Sequence, residues 1–152
     1  MNLKYSKLLA NKAYIHGQWV DDACYINVVN PANGDIVGRC PDLGLSHLDD
    51  AIDAAADAFP VWAAKTGKAR SQILRTWFDL IVEHADDLSM ILTCEQGKPL
   101  KESKGEVLYG ASFVEWFAEE AKRTYGDVIP PTVEGTRIQV MKQPVGVCAA
   151  IT

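Results

Sequence analysis

The apolar positions of this chain alternate near its beginning and its end and recur at helical spacing through the middle. Ala13-Tyr-Ile-His-Gly-Gln-Trp-Val20 predicts a short strand, a turn at Gly17 and a return with aromatic packing, and residues 25–29 alternate as a further strand. Asn30-Pro-Ala-Asn-Gly34 is turn chemistry, because Pro31 fixes φ and Asn33-Gly34 tolerates positive φ. Residues 35–40 are therefore expected to return as a strand, so that the chain opens with a small antiparallel sheet.

Helical spacing begins at Ser46, which with Asp49 forms a capping signature ahead of Ile52, Ala55, Ala56 and Phe59 and a helix reaching the region of Pro60. Thr66 caps the next helix. Its stripe of Ile73, Leu74, Trp77, Phe78, Ile81 and Val82 predicts a core-facing side, with Lys68, Arg70, Arg75 and Asp79 toward water. His84-Ala-Asp-Asp87 reads as a break and recapping before a third helix that ends near Gly97. A long helix follows over 100–125, and Gly126 closes it. Val107, Leu108, Ala111, Val114, Phe117 and Ala121 share one broad face, and Phe113 and Trp116 widen it enough to predict cover on a second side. Gly105 and Gly110 cost about 1 kcal/mol each relative to alanine in a helix, which predicts close approach of another backbone or a ligand there.

After this helix, residues 136–142 alternate as a strand with one wet face and a free edge. Residues 145–151 are continuously apolar or glycine, too short to span a membrane and too continuous for a half-exposed strand. They predict a strand buried on both faces, the first of an open α/β sheet whose other strands lie outside this sequence. Ligands of such sheets bind beyond the carboxyl ends of the strands, so chemistry is expected to begin at or just after Thr152.

Composition narrows the function classes. A hydrophobic content of 48% over 152 residues is that of an ordered globular protein. The net charge of −5, with no cluster of Lys or Arg, argues against nucleic-acid or anionic-membrane surfaces. Residues 1–20 show neither a signal peptide nor a membrane anchor, which implies the cytoplasm. Cys24, Cys40, Cys94 and Cys148 form no C-x-x-C pair and read as small buried or half-buried side chains, with no metal site. His16 has no ligand partners at fixed spacing.

Chemistry is sparse. Cys94 beside Glu95 lacks the cationic surroundings that a thiolate nucleophile needs, and no phosphate-binding glycine motif occurs. The acidic pairs Asp49-Asp50 and Glu119-Glu120 read as solvated helix faces. No complete catalytic constellation is present.

Four stretches nevertheless carry a resemblance: Val28-Val-Asn-Pro-Ala-Asn-Gly34; Glu95-Gln-Gly-Lys-Pro-Leu100 with Lys104-Gly-Glu106; Phe113-Val-Glu-Trp-Phe-Ala-Glu-Glu-Ala-Lys-Arg123 into Tyr125-Gly-Asp-Val-Ile-Pro130; and Gln143-Pro-Val-Gly-Val147. In this order they resemble the amino-terminal part of aldehyde dehydrogenases, most closely the NAD(P)-dependent succinate-semialdehyde dehydrogenases, with glutarate-semialdehyde dehydrogenases as the alternative. Residues 1–12, polar and without periodicity, read as a loose lead-in, and the resemblance implies a hairpin and helical part of the cofactor domain over 13–130, an oligomerisation-type strand over 131–144 and the first strand of the cofactor sheet over 145–152. In the complete enzyme a cysteine thiolate attacks the aldehyde, hydride passes to NAD or NADP, and a glutamate-activated water releases the acid. Neither that cysteine, nor that glutamate, nor the lysine that holds the cofactor in such enzymes occurs here, so the segment is expected to be inactive alone and to bind no cofactor tightly. Ile151 and Thr152 match the strand end that lies against the cofactor. Tyr109 and Phe113 match positions near the mouth of the substrate tunnel, or else are plain core packing. The resemblance further implies self-association or pairing with intact subunits. A non-catalytic product acting only through such pairing is the competing reading, and an unrelated helical binding module a third.

Overall fold

The computed structural model describes residues 1–151. Strands β1 (Ala13–Ile15) and β2 (Gln18–Val20) pair antiparallel through a two-residue turn. His16 and Gly17 there have φ of 50° and 75°, both positive as a type I′ turn requires. Tyr14 and Trp19 pack edge to face across the ladder, with ring centroids 5.2 Å apart. Strands β3 (Tyr25–Val29) and β4 (Ile36–Pro41) form a second ladder. In its turn the Asn30 side-chain oxygen accepts the Ala32 N–H at 2.9 Å, and Gly34 takes the left-handed conformation at φ 79°. The two ladders are separate, so the expected single opening sheet is in fact a pair of hairpins.

Helix α1 (Leu45–Ala63) starts behind Gly44, which is extended and occupies the cap position. Ser46 already lies inside the first turn, so the capping box expected of Ser46 and Asp49 does not form. Helix α2 (Gly67–Glu83) is capped as expected, its Thr66 hydroxyl accepting the Ala69 N–H at 3.2 Å. Helix α3 (Ala85–Gln96) meets α2 at His84 and ends on Gly97 at φ 79°. Pro31 of the second hairpin sits against that glycine, where an added Cβ would lie 2.7 Å from the proline ring. The turn of the β3–β4 hairpin therefore seats on the carboxyl end of α3.

Helix α4 (Leu100–Glu120) runs antiparallel to α2. The Arg75 guanidinium meets the Glu115 carboxylate across the pair at 2.9 Å, and the start of α2 touches the chain just beyond α4, where a Cβ on Gly67 would fall 2.4 Å from the Ala121 carbonyl oxygen. The core here is built of small residues. Ser103, Ala111 and Ala118 of α4, Ala85 and Ser89 of α3 and Ser71 of α2 are buried, and the Thr93 hydroxyl donates to the Ser103 hydroxyl at 2.8 Å.

Large apolar side chains sit farther out than their spacing predicts. Leu74, Phe78 and Ile81 of the α2 stripe are half-buried, while Ile73, Trp77 and Val82 are exposed. On α4 the covered line is Ser103, Val107, Ala111, Val114, Ala118 and Ala121, and Leu108, Phe113, Trp116 and Phe117 are exposed. No cover reaches that second side among the described residues. Nothing lies within 4 Å of a Cβ built on Gly105 or Gly110, so close approach does not account for them. Cys94 is half-buried as expected, whereas Cys24, Cys40 and Cys148 are exposed, contrary to the expectation for them.

The long helix stops at Glu120 rather than near Tyr125. Gly126 opens the next element instead: β5 (Asp127–Ile129) pairs antiparallel with β6 (Ile138–Val140), and a Cβ on Gly126 would lie 2.1 Å from the Val140 carbonyl oxygen. The expected strand over 136–142 thus finds its partner within the chain. Residues 145–151 do not form the expected buried strand, because no strand among the described residues pairs with them, and Val145 is 92% exposed. Residues 1–12, expected as a loose lead-in, contain a single 3-10 turn at Ser6–Leu8 and are fastened to α3 and β4 by hydrogen bonds.

The contrast between these glycines is measurable. Gly67→Ala is expected to destabilise the chain by about 1–3 kcal/mol, since backbone must shift to admit the methyl group. Gly110→Ala, into open space, is expected to stabilise it by up to about 1 kcal/mol through helix propensity. Thermal unfolding of the two variants beside the parent checks both signs.

Candidate functional site

Tyr109 and Phe113 lie one turn apart on α4, a spacing that stacks side chains on the same helical face. Their rings meet edge to face with centroids 4.9 Å apart. Both stand in the open, Tyr109 at 65% and Phe113 at 47% exposure, so neither is core packing among the described residues.

Phe113 continues into an open groove of about 850 Å³ whose apolar floor includes Trp116 and Phe117. Glu119 and Arg123 form its polar end. Glu119 takes a 2.6 Å contact from Lys122, and Arg123 pairs with Glu120 at the same distance. The hydrogen bond from Lys122 holds the Glu119 carboxyl below its ordinary value of 4.5, with the charges of Lys122, Arg123 and Arg75 acting in the same direction. The acidic pair read from sequence as a solvated face is therefore an ion-paired rim beside an aromatic groove. Aromatic residues at 113, 116 and 117 with charges at 119 and 123 were the signal available for it.

Ile151, placed by sequence reasoning against a cofactor, is 99% exposed, and Thr152 lies outside the described residues. A common dinucleotide site sets the pyrophosphate on converging backbone N–H groups at a helix N-terminus behind a glycine-rich turn. No such motif occurs here, and the segment leading to Ile151 joins no sheet among the described residues. The residues present do not by themselves fit that group. Nor does any cluster of three or more His, Cys, Asp or Glu side chains among the described residues suit a metal ion.

Comparison with known proteins defines the class. The profile of the aldehyde dehydrogenase family matches residues 19–152, and the chain belongs to that family. Within it, the chain is 53% identical over its whole length to the NADP(+) succinate-semialdehyde dehydrogenase of Escherichia coli strain K12 and 52% identical to the glutarate-semialdehyde dehydrogenase of Pseudomonas putida. It spans 32% of the length of each, in their amino-terminal portion. The crystal structure of an aldehyde dehydrogenase from Brucella melitensis superposes on 95% of this chain and 30% of its own, with a TM-score of 0.93 at 53% identity. The helix-rich fold with small antiparallel ladders is thus that of the amino-terminal part of such an enzyme.

The Glu119 contact has a pH signature. Its folded pKa is depressed, so the stabilisation it brings is present above the ordinary value and is lost as pH falls through the lowered one; because the pair is exposed the gain is small. Lys122→Met should move the Glu119 titration midpoint upward toward 4.5, followed by NMR of the side-chain carboxyl.

Proposed function

We propose that this chain serves as the amino-terminal part of an NAD(P)-dependent semialdehyde dehydrogenase, which oxidises succinate semialdehyde to the dicarboxylic acid. Glutarate semialdehyde is the alternative substrate. The observation that carries the reading is identity of about half over the entire chain to relatives named for both activities. The same near-equality leaves the two substrates side by side.

The surface supports a role as one part of a larger body. Trp77, Trp116, Phe117 and residues 145–151 present apolar groups to water that a larger enzyme would cover. In this reading the segment forms the helical wall of the cofactor domain, and Ile151 and Thr152 come to lie against the nicotinamide dinucleotide once neighbouring strands enclose them. Tyr109 and Phe113 face the route by which the aldehyde enters. The segment over 131–144, with β6 at its centre, takes part in subunit association through the outer edge that its pairing with β5 leaves free. No catalytic role falls on these residues, and the enzyme works in the cytoplasm. No helix among the described residues is long and apolar enough to cross a membrane.

A chimera tests this directly. The segment replaces the matched third of the Escherichia coli relative, and reduction of NAD and NADP is followed spectrophotometrically with each semialdehyde. Turnover by the chimera, with none from the 152-residue chain alone, is the expected result. A chimera that folds and assembles like its parent yet reduces neither cofactor would overturn the reading and favour a product that acts only through association.

A further inference from the structure

Residues 4–11 lie as an arm across two elements that are otherwise held by separate contacts. At one end is Asp87, in the first turn of α3 and only 6% exposed. One of its oxygens accepts the backbone N–H of Lys4 at 3.0 Å and the other that of Tyr5 at 2.7 Å. A carboxylate this buried is stable only when its oxygens are satisfied, and the amides of the arm supply what the positive end of the helix does not. Neighbouring Asp86 meets the Lys4 ammonium at 3.4 Å and that of Lys104, from α4, at 2.6 Å. The Tyr5 ring stacks on His84 with centroids 5.2 Å apart. At the other end the Asn11 side-chain oxygen accepts the Arg39 N–H of β4 at 2.8 Å.

We propose that residues 4–11 are a strap that locks the β3–β4 hairpin onto α3, with Asp87 as its latch and Asn11 as its second anchor. The hairpin is then held twice: Pro31 seats on Gly97 at the carboxyl end of α3, and the strap ties β4 back to its amino end. The latch opens as a unit, because both arm amides share one carboxylate. Its opening also withdraws Asn2 and Lys4 from the wall of a 680 Å³ recess that they share with Met90 and Leu100. Local opening of this kind leaves the packed helices intact.

Backbone hydrogen exchange in the 152-residue chain reads the strap at both ends. Two variants break it from opposite sides. Asp87→Ala removes the latch from α3, whereas Tyr5→Pro acts from the arm: it removes one donated N–H and the ring stacked on His84 and imposes a φ far from the −125° found there, with every residue of α3 unchanged. In each variant the Lys4 amide is expected to exchange at least about tenfold faster and the Arg39 amide to lose protection by a similar factor, while amides within α2 and α4 keep theirs. Trypsin should cut after Lys7 and Lys12 sooner than in the parent. Unchanged protection at Arg39 in Tyr5→Pro would overturn the strap, as would an even loss of protection over all the helices in that variant. Should Asp87→Ala fail to fold, Tyr5→Pro decides alone.

Discussion

Helix α4 lies close to both α2 and α3 because the residues on its covered line are small. Ser103, Ala111 and Ala118 bring its backbone near two neighbours at once, and Ser71, Ala85 and Ser89 answer them from the opposite sides. Each buried hydroxyl then needs a partner. Ser89 donates to the Ala85 carbonyl, and Ser103 joins Thr93. Gly67 extends the same logic to the start of α2, where the Ala121 carbonyl occupies the space a side chain would need.

Close approach of the helix axes displaces bulk outward. Trp77, Phe113, Trp116 and Phe117 form an apolar shell around a centre of alanine and serine, the reverse of a self-sufficient domain. Such an arrangement suits a layer within a larger protein, in which the shell is itself interior. The family to which the chain belongs, and the 32% of its relatives' length that it spans, fit this layered role.

Local chemistry was legible in the sequence. The turn at Asn30 to Gly34, the Thr66 cap and the Gly97 helix end all follow from a few adjacent residues and stand as expected. Tertiary distance was not. The α2 stripe pointed to Ile73 and Trp77 as core because every apolar residue of the stripe was taken as buried, whereas only Leu74, Phe78 and Ile81 lie on the covered side. The same error assigned close approach to Gly105 and Gly110, when spacing along one helix says nothing about where the neighbour's backbone runs; Gly67 and Gly126 are the glycines that need it. Of the residues that family likeness singled out, Tyr109 and Phe113 meet edge to face on an exposed side of α4, and Ile151 stands exposed at the end of a segment unpaired among the described residues.

The alanine and serine seam between α2 and α4 has a mechanical consequence. Alanine has no rotamers to freeze, and a buried serine few, so the seam lacks the soft degrees of freedom by which bulkier cores absorb strain. The α4 side of the seam is thus a fixed face, joined to α2 at its surface by the Arg75–Glu115 ion pair. Whatever adjustment the pair makes is left to the rotamers of Leu74, Phe78 and Ile81 on α2, the half-buried side chains that face it.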